Sequence, residues 1–388
     1  MLSSFTHDVV IVGAGPAGAA CALALRHSGL RVALLDKAGF PRDKICGDAI
    51  PSPTLRHLRR LDAAYGPELD ALLAPHRADT RYSRLLAPNG RTLRIRWHNP
   101  AFNCARLHFD DALLRLVRRH TTTDILENHT VRRILPDEAG VTIQLASEGL
   151  APLRAALVIG CDGANSVVAR QVGAAPQLDR AYHCAAVRAY YQGVAEAPAD
   201  TSDFYFLREF GAGYCWVFPV GNGRYNVGLG VLSEEVAARR LDLKAELRHL
   251  LNTHPHLAPR FVGAELLTPI SGFGLPLGGS GRPLHGRRWL LCGDAAALID
   301  PLQGHGIDKA LHSGLLAAEQ TLRSFQTNRF DAAFLEEYAR QVEQHIGREL
   351  TRRYRLMQFL AGKAWLVNLT VRAAAWPWLQ RRLVRAVG

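Results

Sequence analysis

A glycine-rich turn near the N-terminus constrains the fold more than any other feature of this 388-residue chain. The β-branched run His7–Val12 predicts a buried strand, and the turn Gly13-Ala-Gly-Pro-Ala-Gly18 follows it directly. The alanine- and leucine-rich stretch Ala19–Ser28 predicts a helix, and Arg31–Asp36 predicts a second strand that ends in an acid. The segment therefore has the order and length of a βαβ unit that binds a dinucleotide.

Three glycines of this turn have separate physical tasks. Gly13 allows the tight turn, Gly15 lets the backbone approach a pyrophosphate, and Gly18 lets helix and strand pack closely. The start of the helix offers free N–H groups and a partial positive charge to the pyrophosphate. Asp36 would bind the ribose hydroxyls of an adenosine. The neighbouring residues predicted to bind the cofactor are Pro16, Ala17 and Lys37. A glycine-rich turn of another kind of α/β protein is the alternative.

A second motif follows the predicted buried strand Trp289–Cys292. Asp294 can accept hydrogen bonds from the hydroxyls of a ribityl chain. Gly304, Gly306 and Ile307 can bring backbone N–H groups to the edge of a flat ring at the start of a helix, where they would stabilise a reduced, anionic flavin. On its own, Asp294 could equally be a helix N-cap. Together, the two motifs favour FAD over NAD.

The remaining patterns predict an α/β fold: a Rossmann-like FAD-binding domain, an inserted antiparallel β-sheet that binds substrate, and C-terminal helices. The strands of the inserted sheet are predicted at Ala185–Tyr191, Asp203–Phe206, Tyr214–Pro219 and Tyr225–Val231, with a hairpin over Tyr82–Trp97. Helices are predicted at Pro53–Leu73, Phe109–His120, Glu234–Asn252, Gly306–Phe325 and Ala332–Leu360. We assign 1–80, 100–180 and 285–325 to the FAD-binding domain, 81–99 and 181–284 to the substrate domain, and 326–388 to the C-terminal region.

Composition excludes several other classes of protein. The net charge is +12, but the chain has no zinc-finger or RNP-type motif, so we expect no nucleic-acid partner. An anionic cofactor, substrate or membrane surface accounts for the charge equally well. The seven scattered cysteines predict neither a disulfide framework nor a metal site. With no secretory signal and no long apolar run, the sequence indicates a cytoplasmic protein with reduced thiols.

A third motif, Cys161-Asp-Gly163, lies between the first two. In this order the three motifs resemble the flavoprotein group of the p-hydroxybenzoate hydroxylase fold, over roughly residues 7–325. The resemblance implies that FAD is extended, with its ADP half on the first βαβ unit and its flavin under a mostly antiparallel substrate sheet. It also implies that Asp162 and Gly163 belong to the cofactor site.

Two further segments resemble the geranylgeranyl reductase family. Phe40-Pro-Arg-Asp-Lys-Ile-Cys-Gly47 is similar to its PRxKxCG segment, and Gly213-Tyr-Cys-Trp-Val-Phe-Pro219 to its YxWxFP segment. The resemblance implies that Cys46, Gly47 and Asp48 lie near the flavin ring, and that Tyr214, Trp216 and Phe218 line the substrate cavity. It implies that Arg106 contacts FAD and that the backbone of Val131 contacts adenine. The candidate catalytic residues are Cys46 and Trp216. The alternatives are a small loop residue for Cys46, a core aromatic for Trp216 and a surface charge for Arg106.

The resemblance implies an FAD-dependent enzyme that reduces C=C bonds of an isoprenoid or lipid-like substrate, with NAD(P)H or another donor supplying electrons. Hydroxylation of an aromatic or polyketide-type substrate is the alternative, since it uses the same FAD site. Flavin-dependent halogenases share the fold, but they need a lysine after the first βαβ unit, and between Lys44 and Lys244 this chain has none.

The stretch Thr351–Gly388 mixes arginines with Trp365, Trp376 and Trp378. This mixture is typical of a helix that lies on an anionic membrane, and also of a helix that caps the substrate domain with a solvated basic face. A membrane-facing tail would suit a hydrophobic small-molecule substrate, and would place the protein at the inner face of the membrane.

Overall fold

The computed structural model describes residues 5–147, 149–174, 179–374 and 376. In chain order the strands are β1 (Val9–Val12), β2 (Val32–Leu35), β3 (Ala49–Ile50), β4 (Arg77–Leu86), β5 (Thr92–Cys104), β6 (Asp124–Leu126), β7 (Val131–Pro136), β8 (Val141–Leu145), β9 (Leu153–Ala155), β10 (Leu157–Gly160), β11 (His183–Gln192), β12 (Thr201–Tyr205), β13 (Gly213–Pro219), β14 (Arg224–Leu232), β15 (Glu265–Leu266), β16 (Ser271–Pro276), β17 (His285–Gly286) and β18 (Trp289–Leu291). The helices are α1 (Pro16–Ala24), α2 (Ser52–Leu61), α3 (Tyr65–Leu73), α4 (Arg106–His120), α5 (Val167–Gln171), α6 (Ser233–Arg239), α7 (Leu243–Thr253), α8 (Ala258–Phe261), α9 (Ile307–Thr327), α10 (Ala332–Val342), α11 (Arg348–Leu360) and α12 (Ala364–Ala373).

The first sheet has six strands in the order β17-β18-β10-β1-β2-β6. Its strands are parallel apart from the antiparallel edge strand β17. The strands β1 and β10 are buried along their whole length, as expected for a sheet that helices cover on both faces. Because β1, β10 and β18 are adjacent and parallel, the three predicted motifs leave the sheet at the same edge, where ligands bind in such folds.

The second sheet has nine strands and confirms the predicted insertion between segments of the first sheet. It is mostly antiparallel, but β12 pairs with β4 in parallel. The predicted hairpin is confirmed as β4 and β5, and it extends beyond the predicted bounds at both ends. This hairpin joins the sheet by pairing with β12. The strands β13, β14 and β11 follow in this order on the other side of β12.

Two predicted helices are wrong as single helices. Pro53–Leu73 is divided into α2 and α3, because Asp62 takes an extended backbone conformation and its side chain accepts a hydrogen bond from Ala64 N. Glu234–Asn252 is divided into α6 and α7, because Arg240 is left-handed and Asp242 caps the start of α7. The three-stranded sheet of β7, β8 and β9 was not predicted from the sequence.

The C-terminal helices connect the two sheets. A Cβ on Gly314 of α9 would lie 2.3 Å from the carbonyl oxygen of Ala17, so α9 packs directly on α1. A π turn at Glu343–Gly347 joins α10 to α11 without a break, as predicted. Val371 of α12 packs in one cluster with Ile95 of the hairpin. Within the described ranges, each helix is too short or too polar to cross a membrane. Of the predicted tail, residues 377–388 lie outside the described part, and the domain boundaries stay a prediction.

Candidate active site

The glycine-rich turn connects β1 to α1 as the sequence predicts. Gly13 has a φ of 104°, and a Cβ there would lie 2.3 Å from the Cys161 carbonyl oxygen, so only glycine fits. A Cβ on Gly18 would lie 1.9 Å from the Gly13 oxygen. A Cβ on Gly15, in contrast, would have its nearest neighbour, the Arg42 guanidinium, at 3.7 Å. The turn therefore leaves room at Gly15 for a ligand beside a cation.

At the adenosine end of the predicted site, several backbone segments contact Asp36. The Asp36 carboxylate accepts hydrogen bonds from Ala14 N and Ala38 N, both at 3.0 Å, and so holds the glycine-rich turn against β2. The Asp36 carbonyl accepts a hydrogen bond from His129 N, which brings the start of β7 at Val131 close by. Lys37 is exposed beside them. The predicted ribose and adenine contacts thus come from adjacent backbone segments.

Arg106 is a buried residue, contrary to the surface alternative. Its side chain is 3% exposed and makes two hydrogen bonds to the Asp110 carboxylate, at 2.6 and 2.7 Å. Arg42 donates to the same carboxylate at 3.0 Å. Burial alone would raise the pKa of Asp110, but the two guanidinium groups outweigh burial and lower it. Arg42 also lies 3.6 Å from the Asp36 carboxylate, so two guanidinium groups and two carboxylates neutralise one another beside Gly15.

The ribityl end of the predicted site lies where β18 ends. Asp294 stands in a 3-10 turn at Gly293–Ala296, and its carboxylate forms an ion pair with Lys44 Nζ at 2.9 Å. A Cβ on Gly306 would lie 3.5 Å from the other Asp294 oxygen, so this carboxylate faces the start of α9. Gly304 is left-handed and precedes the first residue of that helix, Ile307.

The Asp162 carboxylate lies at the start of α5. It accepts hydrogen bonds from Ser166 Oγ at 2.5 Å, Val167 N at 2.6 Å and Val168 N at 3.1 Å. The side chain therefore caps α5, and burial raises its pKa. Gly163 follows it with a φ of 79°. The part of this motif that meets the glycine-rich turn is the backbone of Cys161.

The segment 40–50 joins the cofactor end of the molecule to the substrate sheet. On one side Arg42 and Lys44 contact Asp110 and Asp294. On the other side, Asp43 forms an ion pair with Arg188 of β11 at 2.6 Å. The segment is a loop whose end forms the two-residue strand β3, which pairs with β5. Cys46 follows these contacting residues in the chain and is half-buried.

The predicted substrate-lining aromatics lie together on one face of β13. A Cβ on Gly47 would lie 3.6 Å from the Phe218 ring and 3.7 Å from Trp216 Nε1, so the Cys46-Gly47 turn packs on this face. The Tyr214 hydroxyl donates to the Gln303 carbonyl at 2.7 Å. We call Tyr214, Trp216 and Phe218 the aromatic wall. It contacts both segments that are predicted to surround the flavin ring.

Residues 6–352 match the profile of a protein family described as an FAD binding domain. Menaquinone reductase of Mycobacterium tuberculosis is 34% identical over 331 residues, covering 80% of this chain and 76% of that protein. Digeranylgeranylglycerophospholipid reductase 2 of Methanopyrus kandleri is 32% identical over 347 residues, covering 88% of this chain and 83% of that protein.

The chain belongs to the geranylgeranyl reductase family of FAD-binding proteins. It is an FAD-dependent oxidoreductase. A geranylgeranyl bacteriochlorophyll reductase-like protein of Thermoplasma acidophilum superposes with a TM-score of 0.81 at 23% identity, covering 98% of this chain and 99% of that protein. The halogenase PltM, solved with phloroglucinol and FAD, superposes with a TM-score of 0.77 at 21% identity, covering 98% and 83%. These likenesses confirm the fold that the reductase shares with halogenases.

The residues of the reductase fit an extended FAD. Room at Gly15 beside Arg42 and the start of α1 suits a pyrophosphate. Asp36 lies at one end of this turn, where a ribose would bind. At the other end, the start of α9 and the Lys44–Asp294 pair suit a polyol and an electron-rich ring.

Sequence reasoning missed several polar residues of the reductase site. Asn226 is fully buried on β14, and Tyr190 and Arg188 lie on β11 next to it. A signal existed, because asparagine and arginine are unusual inside apolar strands such as Tyr225–Val231. Lys44 could also have been recognised as a candidate, because the chain contains only five lysines. What the sequence could not provide was their partners, which lie far away along the chain.

Proposed function

We propose that this enzyme reduces carbon–carbon double bonds of an isoprenoid chain in a lipid-like substrate. The observation that carries the proposal is the aromatic wall, which packs against Gly47 and holds the Gln303-Gly304 segment through Tyr214. An aromatic surface at this position suits a hydrocarbon chain laid across a flavin ring. The relatives named as reductases of menaquinone and of a digeranylgeranyl lipid support the same substrate class.

In this proposal the residues of the chain orient the reactants and adjust the charge. When bound, reduced FAD supplies the hydride, and a side chain or water supplies the proton. Trp216 and Cys46 are the proposed catalytic residues, because both lie at the contact between the aromatic wall and the Cys46-Gly47 turn. The cofactor would be held by Gly13, Gly15, Pro16, Ala17, Gly18, Asp36, Lys37, Gly47, Asp48, Arg106, Val131, Asp162, Gly163, Asp294, Gly304, Gly306 and Ile307.

An anaerobic half-reaction tests the proposal. The purified protein is reduced without oxygen and mixed with menaquinone or a geranylgeranyl phospholipid. We expect the flavin absorbance to return, with one H₂ gained by the isoprenoid chain for each flavin reoxidised. With menaquinone this gain must persist after air has reoxidised the quinol ring, because the ring itself accepts two electrons. If reoxidation waits for air and oxygen then enters a product, the enzyme is a hydroxylase and the proposal is wrong. A Gly15→Val protein, whose new side chain would fill the space beside Arg42, serves as the cofactor-free control.

We infer that NAD(P)H or another external donor supplies the electrons transiently. The inference rests on the sequence, which carries one GxGxxG turn, and that turn is used by the FAD site. Mixing the oxidised protein anaerobically with NADH, with NADPH or with a reduced electron carrier protein identifies the donor, because the correct one bleaches the flavin at a saturable rate.

We also propose that the C-terminal helices rest on an anionic membrane surface. The exposed fractions of Phe359, Trp365 and Leu369 are 57%, 63% and 52%, and the same helices expose Arg355 and Arg372. Apolar and basic side chains exposed together suit the interface of an anionic bilayer.

Vesicle sedimentation tests this contact. We expect stronger binding to phosphatidylglycerol vesicles than to phosphatidylcholine vesicles, and at least about tenfold weaker binding after Trp365→Ser with Leu369→Ser. Val262→Ser, which removes an apolar side chain that is 81% exposed after α8, is the matched control. Equal binding by all three proteins would refute the contact.

A further inference from the structure

The Cys46-Gly47 turn is linked to the substrate sheet by the buried amide of Asn226. The Asn226 Nδ2 group donates to the Cys46 carbonyl and to the Asp48 carboxylate, both at 2.7 Å. Its Oδ1 accepts a hydrogen bond from Trp216 Nε1 at 2.9 Å. One amide thus uses both of its donor hydrogens and one acceptor position to join the turn to the aromatic wall.

Asp48 completes the link from the other side of the turn. Its backbone is left-handed, with a φ of 65°, a conformation that an aspartate keeps only when its surroundings hold it. The Asp48 carboxylate accepts a hydrogen bond from the Tyr190 hydroxyl at 2.6 Å, and its carbonyl accepts one from Cys104 N at 2.9 Å. The turn is therefore fastened to β5, β11 and β14 within three residues.

Close packing makes the positions of these groups depend on one another. A Cβ on Gly228 would lie 2.2 Å from the Trp216 indole, so the indole lies flat on β14 and has no space to move toward that strand. On its other side, a Cβ on Gly47 would lie 3.7 Å from Trp216 Nε1. A displacement of the Asn226 amide must therefore move either the indole or the turn.

We propose that Asn226 is a positioning residue that fixes the Cys46-Gly47 turn and the Trp216 indole relative to each other. It would thereby set the separation between the flavin ring and the aromatic wall, across which the substrate must fit. The inference rests on the proposed function only in taking the turn and the wall to lie on either side of the reacting groups.

Chemical labelling of Cys46 tests the link without substrate. In Asn226→Leu the volume is kept, but the Cys46 carbonyl and the Asp48 carboxylate of the turn lose their donor, and Trp216 Nε1 loses its acceptor. We expect N-ethylmaleimide to modify Cys46 about tenfold faster than in the unaltered holoenzyme, as the loss of two ordinary hydrogen bonds from the closed turn predicts. Mass spectrometry follows the tryptic peptide 45–56, in which Cys46 is the only cysteine.

Two controls separate the link from general loosening. Cys21, buried on α1, is followed in the same sample through the peptide 1–26, and its labelling rate should not change. Gln320→Leu removes another buried amide, which donates to the Phe334 carbonyl at 3.2 Å, and should leave Cys46 labelling unchanged. Equal acceleration of Cys46 and Cys21, or no acceleration of Cys46, overturns the proposal.

Measuring kcat tests whether the hydrogen bonds of Asn226 also affect turnover. If the half-reaction proceeds in the unaltered protein, we expect Asn226→Leu to lower kcat about tenfold, with FAD binding unchanged within about twofold. An unchanged kcat together with faster Cys46 labelling would overturn the positioning role. Failure of the unaltered protein to reduce any isoprenoid would refute the proposed function and leave the labelling result standing.

Discussion

At the scale of single residues, Lys44 places a cation where an anionic reduced flavin would need one. Its ammonium lies 2.9 Å from the Asp294 carboxylate, and both side chains are largely buried. We predict that Lys44→Met lowers the midpoint potential of bound FAD by about 30 mV, which for two electrons equals about 1.4 kcal/mol. Anaerobic titration against a reference dye measures the potential. Lys244→Met, on the exposed face of α7, is the control, and an equal change in both variants would contradict the prediction.

A second residue-scale prediction concerns stability. Arg106→Leu would leave the fully buried Asp110 carboxylate with Arg42 alone. Removing one partner of a buried ion pair typically costs about 3–5 kcal/mol, whereas an exposed pair contributes less than about 1 kcal/mol. Arg115→Leu is the matched control, because Arg115 pairs with Asp111 on the same helix and its side chain is 59% exposed. Urea unfolding of the two holoenzymes should differ by several kcal/mol, and similar midpoints would refute the prediction.

At the scale of secondary-structure elements, α2 packs on α9 through a pair of stacked imidazoles. The rings of His57 and His312 have their centroids 4.4 Å apart. Burial lowers the pKa of each to about 4, and it outweighs the Asp308 carboxylate, which acts to raise the pKa of His57. Both rings are therefore neutral in the folded protein at pH 6, while the unfolded chain takes up protons as soon as the pH approaches 6.5.

The contact between α2 and α9 should consequently weaken as the pH falls from about 6.5 toward 4. Between pH 7.5 and 5.5 we expect the protein to lose about 1–2 kcal/mol more stability than His57→Phe with His312→Phe, after allowing for the partial exposure of both rings. Urea unfolding at the two pH values measures the difference. His249→Gln on exposed α7 should keep the original pH dependence. A double variant with the same pH dependence as the unaltered protein would contradict the prediction.

Elements that form through interactions between residues close in sequence were predicted better than the others. The strand, turn and helix from His7 to Asp36 follow from local pattern, and the structure has them within a few residues. The breaks at Asp62 and Arg240 depend on single side chains and backbone angles that helix propensity does not see. The strands β7, β8 and β9 were missed because they are short and because β7 carries two exposed arginines, Arg132 and Arg133.

The parts of the candidate site that consist of motif residues could be predicted from the sequence. Gly13, Asp294 and Trp216 meet around one region of the molecule because parallel strands and one inserted sheet bring their motifs together. The polar links were not predictable, since Asn226 reaches Asp48 over 178 positions and Lys44 reaches Asp294 over 250. Asp162 illustrates the opposite case. It belongs to a motif predicted to bind the cofactor, but its carboxylate accepts hydrogen bonds from the nearby start of α5.

At the scale of the whole molecule, the two large sheets are interleaved along the chain. The hairpin β4–β5 lies between strands of the first sheet and pairs in parallel with β12, which lies inside the insertion. Neither sheet can form completely without segments that flank the other. We therefore predict one unfolding transition, in which far-ultraviolet circular dichroism, tryptophan fluorescence and FAD release change together. Two separated transitions in urea, or a stable proteolytic fragment that contains one sheet alone, would contradict this prediction.

During synthesis on the ribosome, β10 emerges long before its parallel neighbour β18, because the whole inserted sheet lies between them. The first sheet therefore stays incomplete during synthesis, with the apolar edge of β10 unpaired. Unpaired apolar strand edges are sites at which chaperones bind newly made chains. Asp294 and the start of α9 emerge later still. The flavin end of the predicted site is therefore assembled only after the whole inserted sheet has been made.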